Sequence, residues 1–424
     1  MLSLLTACGP NKNETEAPHL PLDIGSSEYQ QLLGRAETKA LSSNGSELSA
    51  EFGVSESELQ SVRAALATGE RSLKWLEHMN SFRDETTKLR LTTRSGGLQG
   101  TPIESPKRYS PAIIQTRHNT NLGLLDDHSR AVLLENRAFS RNPGISDEDF
   151  VVLAKKIDSV YQSAARWQLI SPWLRQYESA SRRDVRGYYE LSRDPDAENK
   201  IANFENLEAS QRERMAASLV MLCRNSGATL ASCSGAFEGA RVNGTLQQFF
   251  ARFLPAGRSN WNSFFDISGA RRDVQWQDTH ASTATLPFRR HANDLLTSFV
   301  KENVEEEFSW GAFRLNLDLK PSDTSARIPF VIFQPGATPH VEALGGNQIV
   351  MDANAPLTEW DVQWTIRHEF GHVLGLPDCY VEFFDPRARE MVNYQLDVTD
   401  LMCSRAGRMN ERIFNELRRA YFQL

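Results

Sequence analysis

Apolar residues recur every three or four positions along several stretches of the first two thirds of the chain. One stretch starts near Ser55 and continues to about Leu91, with five apolar residues on a shared face: Leu59, Val62, Leu66, Leu73 and Leu76. The same spacing predicts three further helices: Phe150 to Trp167, Ser210 to Cys223 and Leu246 to Phe253. We therefore expect residues 55–277 to form a mainly α-helical region.

The pattern changes near Asp278, where strand signals begin to alternate with helical ones. Pro287 stands where a helix can begin, and apolar residues follow it at helical spacing: Phe288, Ala292, Leu295, Phe299 and Val304. Residues 313–319 alternate between apolar and polar, residues 328–333 are mostly apolar, and Gln348 to Asp352 follows two glycines, so three strands are expected. Residues 278–424 are thus predicted to be an α+β domain.

Another helix is predicted from about Thr358. Thr358 and Asp361 have the Thr-x-x-Asp spacing of a capping box. Val362, Ile366 and Phe370 follow at the spacing of a buried helical stripe.

Length and charge narrow the classes of protein to consider. With 424 residues, the chain is longer than one ordinary domain. We assign residues 1–8 to a signal remnant, 9–54 to a polar tether, 55–277 to the helical region and 278–424 to the α+β domain. No run approaches the ~20 apolar residues that span a bilayer. The net charge of -7 gives no electrostatic reason to bind nucleic acid.

The first residues carry a candidate export signal. Leu5-Thr6-Ala7-Cys8 resembles the lipobox of bacterial lipoproteins, in which cleavage leaves a lipidated cysteine at the new N-terminus. The resemblance implies an exported protein anchored at the cell envelope through Cys8, on the outer membrane, facing the periplasm or the outside. That lipid would be its only membrane association. The alternative is a short frayed terminus with an incidental cysteine.

Four cysteines remain when Cys8 is set aside: Cys223, Cys233, Cys379 and Cys403. An even number fits two disulfides in an oxidising compartment. Of the three possible pairings we favour Cys223 with Cys233, which lie close in sequence, and Cys379 with Cys403, which flank one candidate active site. Four reduced cysteines are the alternative.

That candidate site contains the motif His368-Glu369-Phe370-Gly371-His372, a match to His-Glu-x-x-His. Residues four apart on a helix lie one turn apart on the same face, so His368 and His372 can bind one metal ion. Glu369 projects beside His372, near enough to bind a water on the metal without being a ligand. It is therefore placed to be a general base.

The motif continues through residues 373–378 as Val-Leu-Gly-Leu-Pro-Asp. Gly375 can adopt the positive φ that ends a helix, and Pro377 keeps Leu376 extended, so Asp378 can turn back towards the metal. Two histidines, a carboxylate and a water would complete a tetrahedral site. We therefore predict one catalytic Zn²⁺ with Asp378 as its third protein ligand.

The extended motif resembles that of the metzincin metallopeptidases, and its Asp in place of the third His is similar to snapalysin-type proteases. The resemblance covers roughly residues 280–424. It implies a zincin-like domain with a twisted sheet, an edge strand, the active-site helix, a methionine turn and a C-terminal helix. It also implies that Gly346 to Ala353 is the edge strand, which would bind an extended peptide through its backbone.

The same resemblance makes Met402, in Asp400-Leu401-Met402-Cys403, the candidate for the methionine turn beneath the metal. A disulfide between Cys379 and Cys403 would then join the loop of the third ligand to that turn.

We expect a zinc-dependent endopeptidase in which Glu369 removes a proton from the attacking water and delivers it to the leaving amine. The alternative from another class is a catalytically silent, zinc-stabilised surface lipoprotein that binds a partner through its helical region. Glu369 argues against it, because a structural zinc site has no use for a base. A third possibility is that the helical region is a propeptide that keeps the enzyme latent.

Several nearby residues have ordinary explanations. Glu390 could replace Asp378 in a gluzincin scheme, but its surroundings carry no supporting motif. Tyr380 or Tyr394 could stabilise the oxyanion, although packing is the commoner role of such tyrosines. His340 could face the substrate, although a solvated loop histidine is commoner. The same ordinary explanation applies to the other isolated histidines: His118, His128, His280 and His291.

Overall fold

The structure is a computed structural model with helices and three β-sheets, so the predicted α+β class is confirmed. It describes residues 53–84, 86–91, 106–278, 282–324, 327–335, 337, 339–353, 357, 360–404 and 407–422. Cys8, most of the predicted tether, His280 and Thr358 lie outside the described residues. Over the described ranges, no helix combines the length and the apolar character needed to cross a membrane.

Ten helices make up most of the described chain before residue 275. They are α1 (Glu56–Asn80), α2 (Pro111–Leu122), α3 (Asp127–Leu134), α4 (Asp147–Ile170), α5 (Leu174–Ala180), α6 (Arg186–Arg193), α7 (Ala197–Ala202), α8 (Ala209–Arg224), α9 (Leu230–Val242) and α10 (Leu246–Asn262). A capping box fixes the start of α1. The Ser55 side chain accepts from the Glu58 backbone N–H, and the Glu58 carboxylate accepts from the Ser55 N–H.

The four predicted helices of this region are confirmed by α1, α4, α8 and α10. Helix α1 ends earlier than expected, because the Asn80 side chain bonds both backbone groups of Leu89, at 2.8 and 2.9 Å, and turns the chain back. Helices α2, α3, α5, α6, α7 and α9 were not predicted. Three of these, α5, α6 and α7, are short. They are eight residues long or shorter, too short for a helical period to be visible.

Ten strands form three sheets within the described residues. The strands are β1 (Lys107–Tyr109), β2 (Gln275–Asp278), β3 (Ser282–Arg289), β4 (Ser309–Trp310), β5 (Phe313–Lys320), β6 (Phe330–Gln334), β7 (His340–Val341), β8 (Gln348–Asp352), β9 (Tyr380–Asp385) and β10 (Glu390–Gln395). Their orders are β1-β10-β9, β2-β3-β5-β4 and β6-β8-β7. Strands β5, β6 and β8 confirm the three predicted strands. The second half also contains three helices: α11 (Asp294–Glu307), α12 (Trp360–Val373) and α13 (Glu411–Tyr421).

The predicted helix from Pro287 is wrong, because Pro287 lies inside strand β3. Burial along this strand has a period of two, and the buried residues are Ala284, Leu286 and Phe288. Strand β2 pairs with β3 only as far as Thr285, so Pro287, which has no N–H, lies beyond that pairing. The apolar residues on both sides of residue 290 belong to two elements rather than to one helix.

The helix of this segment is α11, and it begins after a cap at Asn293. The Asn293 side chain accepts from the Leu295 N–H at 2.9 Å. Phe299 and Val304 are buried as expected, but Leu295 is 76% exposed and does not belong to the packing face. Helix α11 crosses between the parallel strands β3 and β5 and packs against α12.

The expected edge strand at Gly346 to Ala353 is also wrong. Strand β8 lies inside its sheet, because β6 pairs with it in parallel on one side and β7 pairs with it antiparallel on the other. His340 and Val341 of β7 are opposite Val350 and Ile349. The outer edge, which contacts α12, therefore belongs to β7.

Residues before and after position 277 share cores and a sheet. Strand β1, from the helical half, pairs antiparallel with β10 of the second half. Val185 and Phe264 pack in the core that surrounds α12, while Phe384 and Met391 pack in a core formed mainly by the first half. The predicted boundary at 277/278 stays a prediction, but the two halves are joined by backbone and side-chain contacts.

A buried ion pair strengthens this connection. Arg166 of α4, fully buried, donates through Nε to Glu382 of β9 at 3.1 Å, and Nη2 makes a second, shorter contact with the same carboxylate. Tyr109 donates to Glu382 at 2.6 Å, and Arg166 donates to the Tyr177 hydroxyl at 3.0 Å. Glu382 therefore offsets the charge of an arginine that no water reaches.

Replacing Glu382 by Gln should lower the free energy of unfolding by about 3 to 5 kcal/mol, because it leaves a buried guanidinium without its counter-charge. Urea titration of the full-length protein measures this. Glu390→Gln is the matched control on the same hairpin, since its ion pair with Arg108 lies at the surface and contributes about 1 kcal/mol or less. Equal losses in the two variants would contradict the assignment.

Candidate metal centre

Helix α12 carries the histidine motif through the middle of the second half. Its predicted stripe is confirmed, since Val362, Ile366 and Phe370 are 6% exposed or less. Arg367, one position before the first motif histidine, is buried and donates to Glu307 and Asn303 of α11, both at 3.0 Å. These bonds hold α12 against α11.

The helix ends in a Schellman motif at Gly375. Gly375 has φ of +80°, its N–H donates to His372 O at 2.9 Å, and the Leu376 N–H donates to Gly371 O at 3.0 Å. The Tyr421 hydroxyl of α13 donates to Leu374 O at 2.8 Å and holds the turn from outside. The prediction that Gly375 ends the helix and reverses the chain is confirmed.

Both motif imidazoles are oriented by backbone carbonyls. His368 Nδ1 lies 3.1 Å from Leu401 O, and His372 Nδ1 lies 2.9 Å from Leu376 O. A carbonyl oxygen only accepts, so each Nδ1 must carry the proton. Each Nε2 is then left with a lone pair, as in a metal-binding histidine held by its second shell.

Asp378 faces those two lone pairs. Its Oδ1 lies 3.2 Å from His368 Nε2 and 3.5 Å from His372 Nε2. This oxygen is buried and has no hydrogen-bond donor in favourable geometry among the described residues. The Tyr380 hydroxyl donates to the other oxygen, Oδ2, at 3.3 Å. Three possible ligand atoms thus converge, and either a proton or a metal ion among them would offset their mutual repulsion.

The ionisable groups of the cluster influence one another's pKa. Burial disfavours charge on His372, yet the Asp378 carboxylate raises the pKa of this imidazole to about 9. Burial also opposes ionisation of Asp378, but His372 and His368 hold the pKa of its carboxyl well below the usual range. A proton on His372 can supply the positive charge, and a metal ion that replaces it would supply more.

The spacing of the donors fits zinc. Ligand bonds of about 2.0 to 2.1 Å at tetrahedral angles place donor atoms about 3.3 to 3.4 Å apart, close to the 3.2 and 3.5 Å measured from Asp378 Oδ1. Only three protein donors belong to this group in the described ranges. The Asp378 side chain keeps 28% of its surface exposed, while the Oδ1 atom that faces the histidines is buried.

Met402, the candidate for a methionine turn, packs against α12 at Gly371. It is fully buried, and a Cβ added to Gly371 would lie 2.3 Å from its sulfur. Asp400 builds the turn, because its Oδ1 accepts from the Met402 N–H at 2.8 Å and its Oδ2 accepts from Arg412 Nε at 2.8 Å. The helix can approach the turn this closely because residue 371 has no side chain.

The structure contains the two predicted disulfides, Cys223–Cys233 and Cys379–Cys403. The second joins the residue after Asp378 to the residue after Met402, and the Cys379 N–H also donates to Met402 O at 3.2 Å. The third donor and the methionine turn are therefore linked by a covalent bond and a hydrogen bond.

Glu369 lies beside the three donors and is not one of them. Its side chain is buried, and its Oε2 has no hydrogen-bond partner within the described part of the chain. Burial raises the pKa of Glu369 above its usual range, while the charges of His372, His368 and His340 oppose that rise. His340, on the outer strand β7, thus lies within electrostatic reach of the centre.

Other candidate residues have different places. Tyr394 bonds Asp184 at 2.8 Å and is part of the core, and Glu390 pairs with Arg108, so neither contacts the donor group. His118, His128 and His291 do not belong to the metal-donor group either, within the residues described. Tyr380 is buried, and burial raises the pKa of its hydroxyl, which stays a donor to Asp378.

The sequence interpretation missed Arg367 and Asp400. Each is a charged residue that stands next to a predicted apolar or functional position and is buried. A charge inside the buried stripe of α12 could have indicated Arg367. The residues that bond Arg367 and Asp400 lie in other elements, so no pattern of neighbouring residues predicts these contacts.

No protein-family model matches the chain, and comparison with curated proteins and with solved structures finds no match either.

Gly371→Ala should lower the free energy of unfolding by about 1 to 3 kcal/mol, because the new methyl group collides with the enclosed Met402 side chain. Gly235→Ala on α9 is the control, since nothing lies within 4 Å of its added Cβ and a helical Ala should stabilise by about 0.5 to 1 kcal/mol. Urea titration measures both. A Gly371→Ala protein as stable as the parent would show that the helix does not rest on the methionine turn.

Proposed function

We propose that the protein is a zinc-dependent endopeptidase of the metzincin type. The observation that carries the proposal is the convergence of His368 Nε2, His372 Nε2 and Asp378 Oδ1, with both Nδ1 atoms occupied by carbonyls. Glu369 beside this group supports catalysis over a purely structural role, because a structural zinc site is normally closed by a fourth protein ligand and needs no base.

In this proposal, bound zinc supplies Lewis acidity, which lowers the pKa of water and polarises a carbonyl oxygen. Glu369 accepts the proton of the attacking water and donates it to the leaving amine. Its buried position favours this exchange, since burial brings its pKa closer to neutrality. Tyr380 holds Asp378 in place through Oδ2, so Oδ1 stays directed at the histidines.

The order of elements supports the metzincin type. The motif helix (α12), the Gly375 turn, the Met402 turn and a C-terminal helix (α13) follow one another as the resemblance implies, whereas the strand before them, β8, is an inner strand instead of an edge strand. We place the extended peptide along β7, because β7 rather than β8 has the outer edge beside α12. His340 would then be one of the first residues that a bound peptide meets.

We also propose that the protein is exported and anchored at the bacterial envelope through Cys8. The two disulfides support an oxidising compartment, since such bonds are rare in the cytosol.

Glu369→Gln should keep the fold and one zinc ion while it lowers peptide turnover by a factor of at least about 10² to 10⁴, because the general base is lost. A peptide-library digest read by mass spectrometry measures turnover. Glu302→Gln, an exposed substitution on α11, is the control. Unchanged cleavage by the Glu369→Gln protein would refute the role of this residue. Absence of cleavage by the zinc-loaded parent would instead favour a silent, zinc-stabilised protein.

Asp378→Asn should reduce bound zinc from about one ion per chain to well below one, because the carboxylate supplies the only negative charge among the three donors. Elemental analysis after dialysis against a weak chelator measures the stoichiometry. Asp318→Asn, on the surface of β5, should leave it unchanged. Full zinc content in the Asp378→Asn protein would remove Asp378 from the ligand set.

A further inference from the structure

Strand β7, along which we place the bound peptide, makes few bonds of its own. It contains only His340 and Val341, and these pair with Val350 and Ile349 of β8. The residues that follow it, 342–344, are exposed. Because each backbone hydrogen bond contributes only about 0.5 to 1.5 kcal/mol, the position of β7 depends on how its loop to β8 is held.

That loop, residues 342–347, is bonded to the end of the motif helix. The Gly345 N–H donates to His372 O at 2.7 Å. Gly345 has φ of +73°, and a Cβ added to Gly346 would lie 2.7 Å from a backbone oxygen of the same loop. Both positions therefore favour glycine. The two glycines form a tight turn that connects β7 to the helix that carries the histidine donors.

The side chain of Arg271, in the segment between α10 and β2, bonds the same turn. Its Nη1 donates to Gly345 O at 2.8 Å and to Gly346 O at 3.0 Å, and its Nη2 donates to Asn347 Oδ1 at 2.8 Å. Nε and Nη2 also donate to the Asp273 carboxylate, at 2.9 and 2.7 Å. These contacts use all five N–H groups of the guanidinium, and the side chain is only 6% exposed.

The backbone around Arg271 is bonded to the end of the motif helix as well. The Arg271 N–H donates to the Tyr421 hydroxyl at 3.3 Å, and that hydroxyl donates to Leu374 O at 2.8 Å. A Cβ added to Gly375 would lie 3.4 Å from Gly269 O, so this segment packs directly against the turn that ends α12. Arg271 therefore connects the loop after β7 to the end of α12 through both its side chain and its backbone.

We propose that Arg271 is a positioning residue that holds β7 in a fixed place beside the motif helix, so that a peptide paired with β7 presents its scissile bond to the metal centre. This inference rests on the proposed function and adds the residue that sets the position of the substrate strand. Arginine suits the task because its five donors lie in one plane, whereas lysine has three on a single nitrogen.

Amide hydrogen exchange of the full-length protein without added zinc, read by mass spectrometry, tests the positioning without turnover. Arg271→Gln should speed exchange of the bonded amides in residues 340–347 by about tenfold or more, the effect expected when hydrogen bonds to a charged group are lost. Helix α4 should exchange as in the parent. Arg271→Lys should be intermediate, and Arg272→Gln, at the exposed neighbour, should change nothing.

A milder variant keeps the test valid if Arg271→Gln does not fold. Asn347→Ala removes the acceptor of one of the five N–H groups and leaves the guanidinium paired with Asp273. It should speed exchange of the same amides by a smaller factor. Urea titration shows that each variant is folded.

Cleavage by the zinc-loaded protein tests the consequence for the substrate. One peptide that the parent cleaves is remade with single N-methyl groups, each of which removes one backbone donor. In the parent, at least one methylated peptide should have a kcat/KM about 3- to 10-fold lower than the unmodified peptide, the effect of a lost hydrogen bond. Arg271→Gln should lower kcat/KM of the unmodified peptide and nearly abolish this difference, while zinc stays at about one ion per chain.

Unchanged exchange at residues 340–347 in the Arg271→Gln protein would overturn the inference. A decrease in kcat/KM by one common factor for methylated and unmodified peptides would also overturn it, since that is the result of a general loss of structure. Loss of zinc would overturn it too, because Arg271 would then act on the metal centre. A parent that cleaves no peptide would contradict the proposed peptidase, while faster exchange in the Arg271→Gln protein would still show that Arg271 holds β7.

Discussion

The candidate site depends on contacts that hold two imidazoles and one carboxylate close together. The Nε2 atoms of two imidazoles lie 3.2 and 3.5 Å from one carboxylate oxygen, in a partly buried place. In water such groups would separate, since nothing attracts them to each other without a proton or a metal ion. They stay together because each makes a hydrogen bond to another group of the chain. Each histidine bonds a backbone carbonyl, and Asp378 accepts from the Tyr380 hydroxyl.

Those bonds are themselves held by longer-range contacts. Arg367 fixes α12 against α11, and the Cys379–Cys403 disulfide fixes the third donor against the methionine turn. The hairpin that follows Asp378 is held in turn by Glu382, whose partner Arg166 belongs to the helical half. Removal of that half would take away strand β1 and leave Glu382 without its counter-charge. This dependence argues against the helical half being a detachable propeptide and favours one folded unit.

The part of the site that could be predicted from the sequence is the part encoded by neighbouring residues. Local backbone geometry sets three features: the spacing of His368 and His372, the helix end at Gly375 and the return of Asp378. Such geometry can be predicted from neighbouring residues in the sequence. The prediction of a helix from Pro287 was wrong because strand β3 and the capped helix α11 follow one another closely in the chain. Taken together, their apolar residues have the spacing of a single helix. The edge strand was misplaced because strand order depends on which distant segments pair, and no local sequence pattern predicts that pairing.

X-ray absorption at the zinc edge, on protein loaded with one equivalent of zinc, tests the central claim most directly. A metal held by two imidazoles, the Asp378 carboxylate and water predicts four nitrogen or oxygen neighbours at about 2.0 to 2.2 Å, with the outer-shell scattering of two histidine rings. Sulfur neighbours at about 2.3 Å would contradict it, since the ion would then bind cysteines instead of the group on α12.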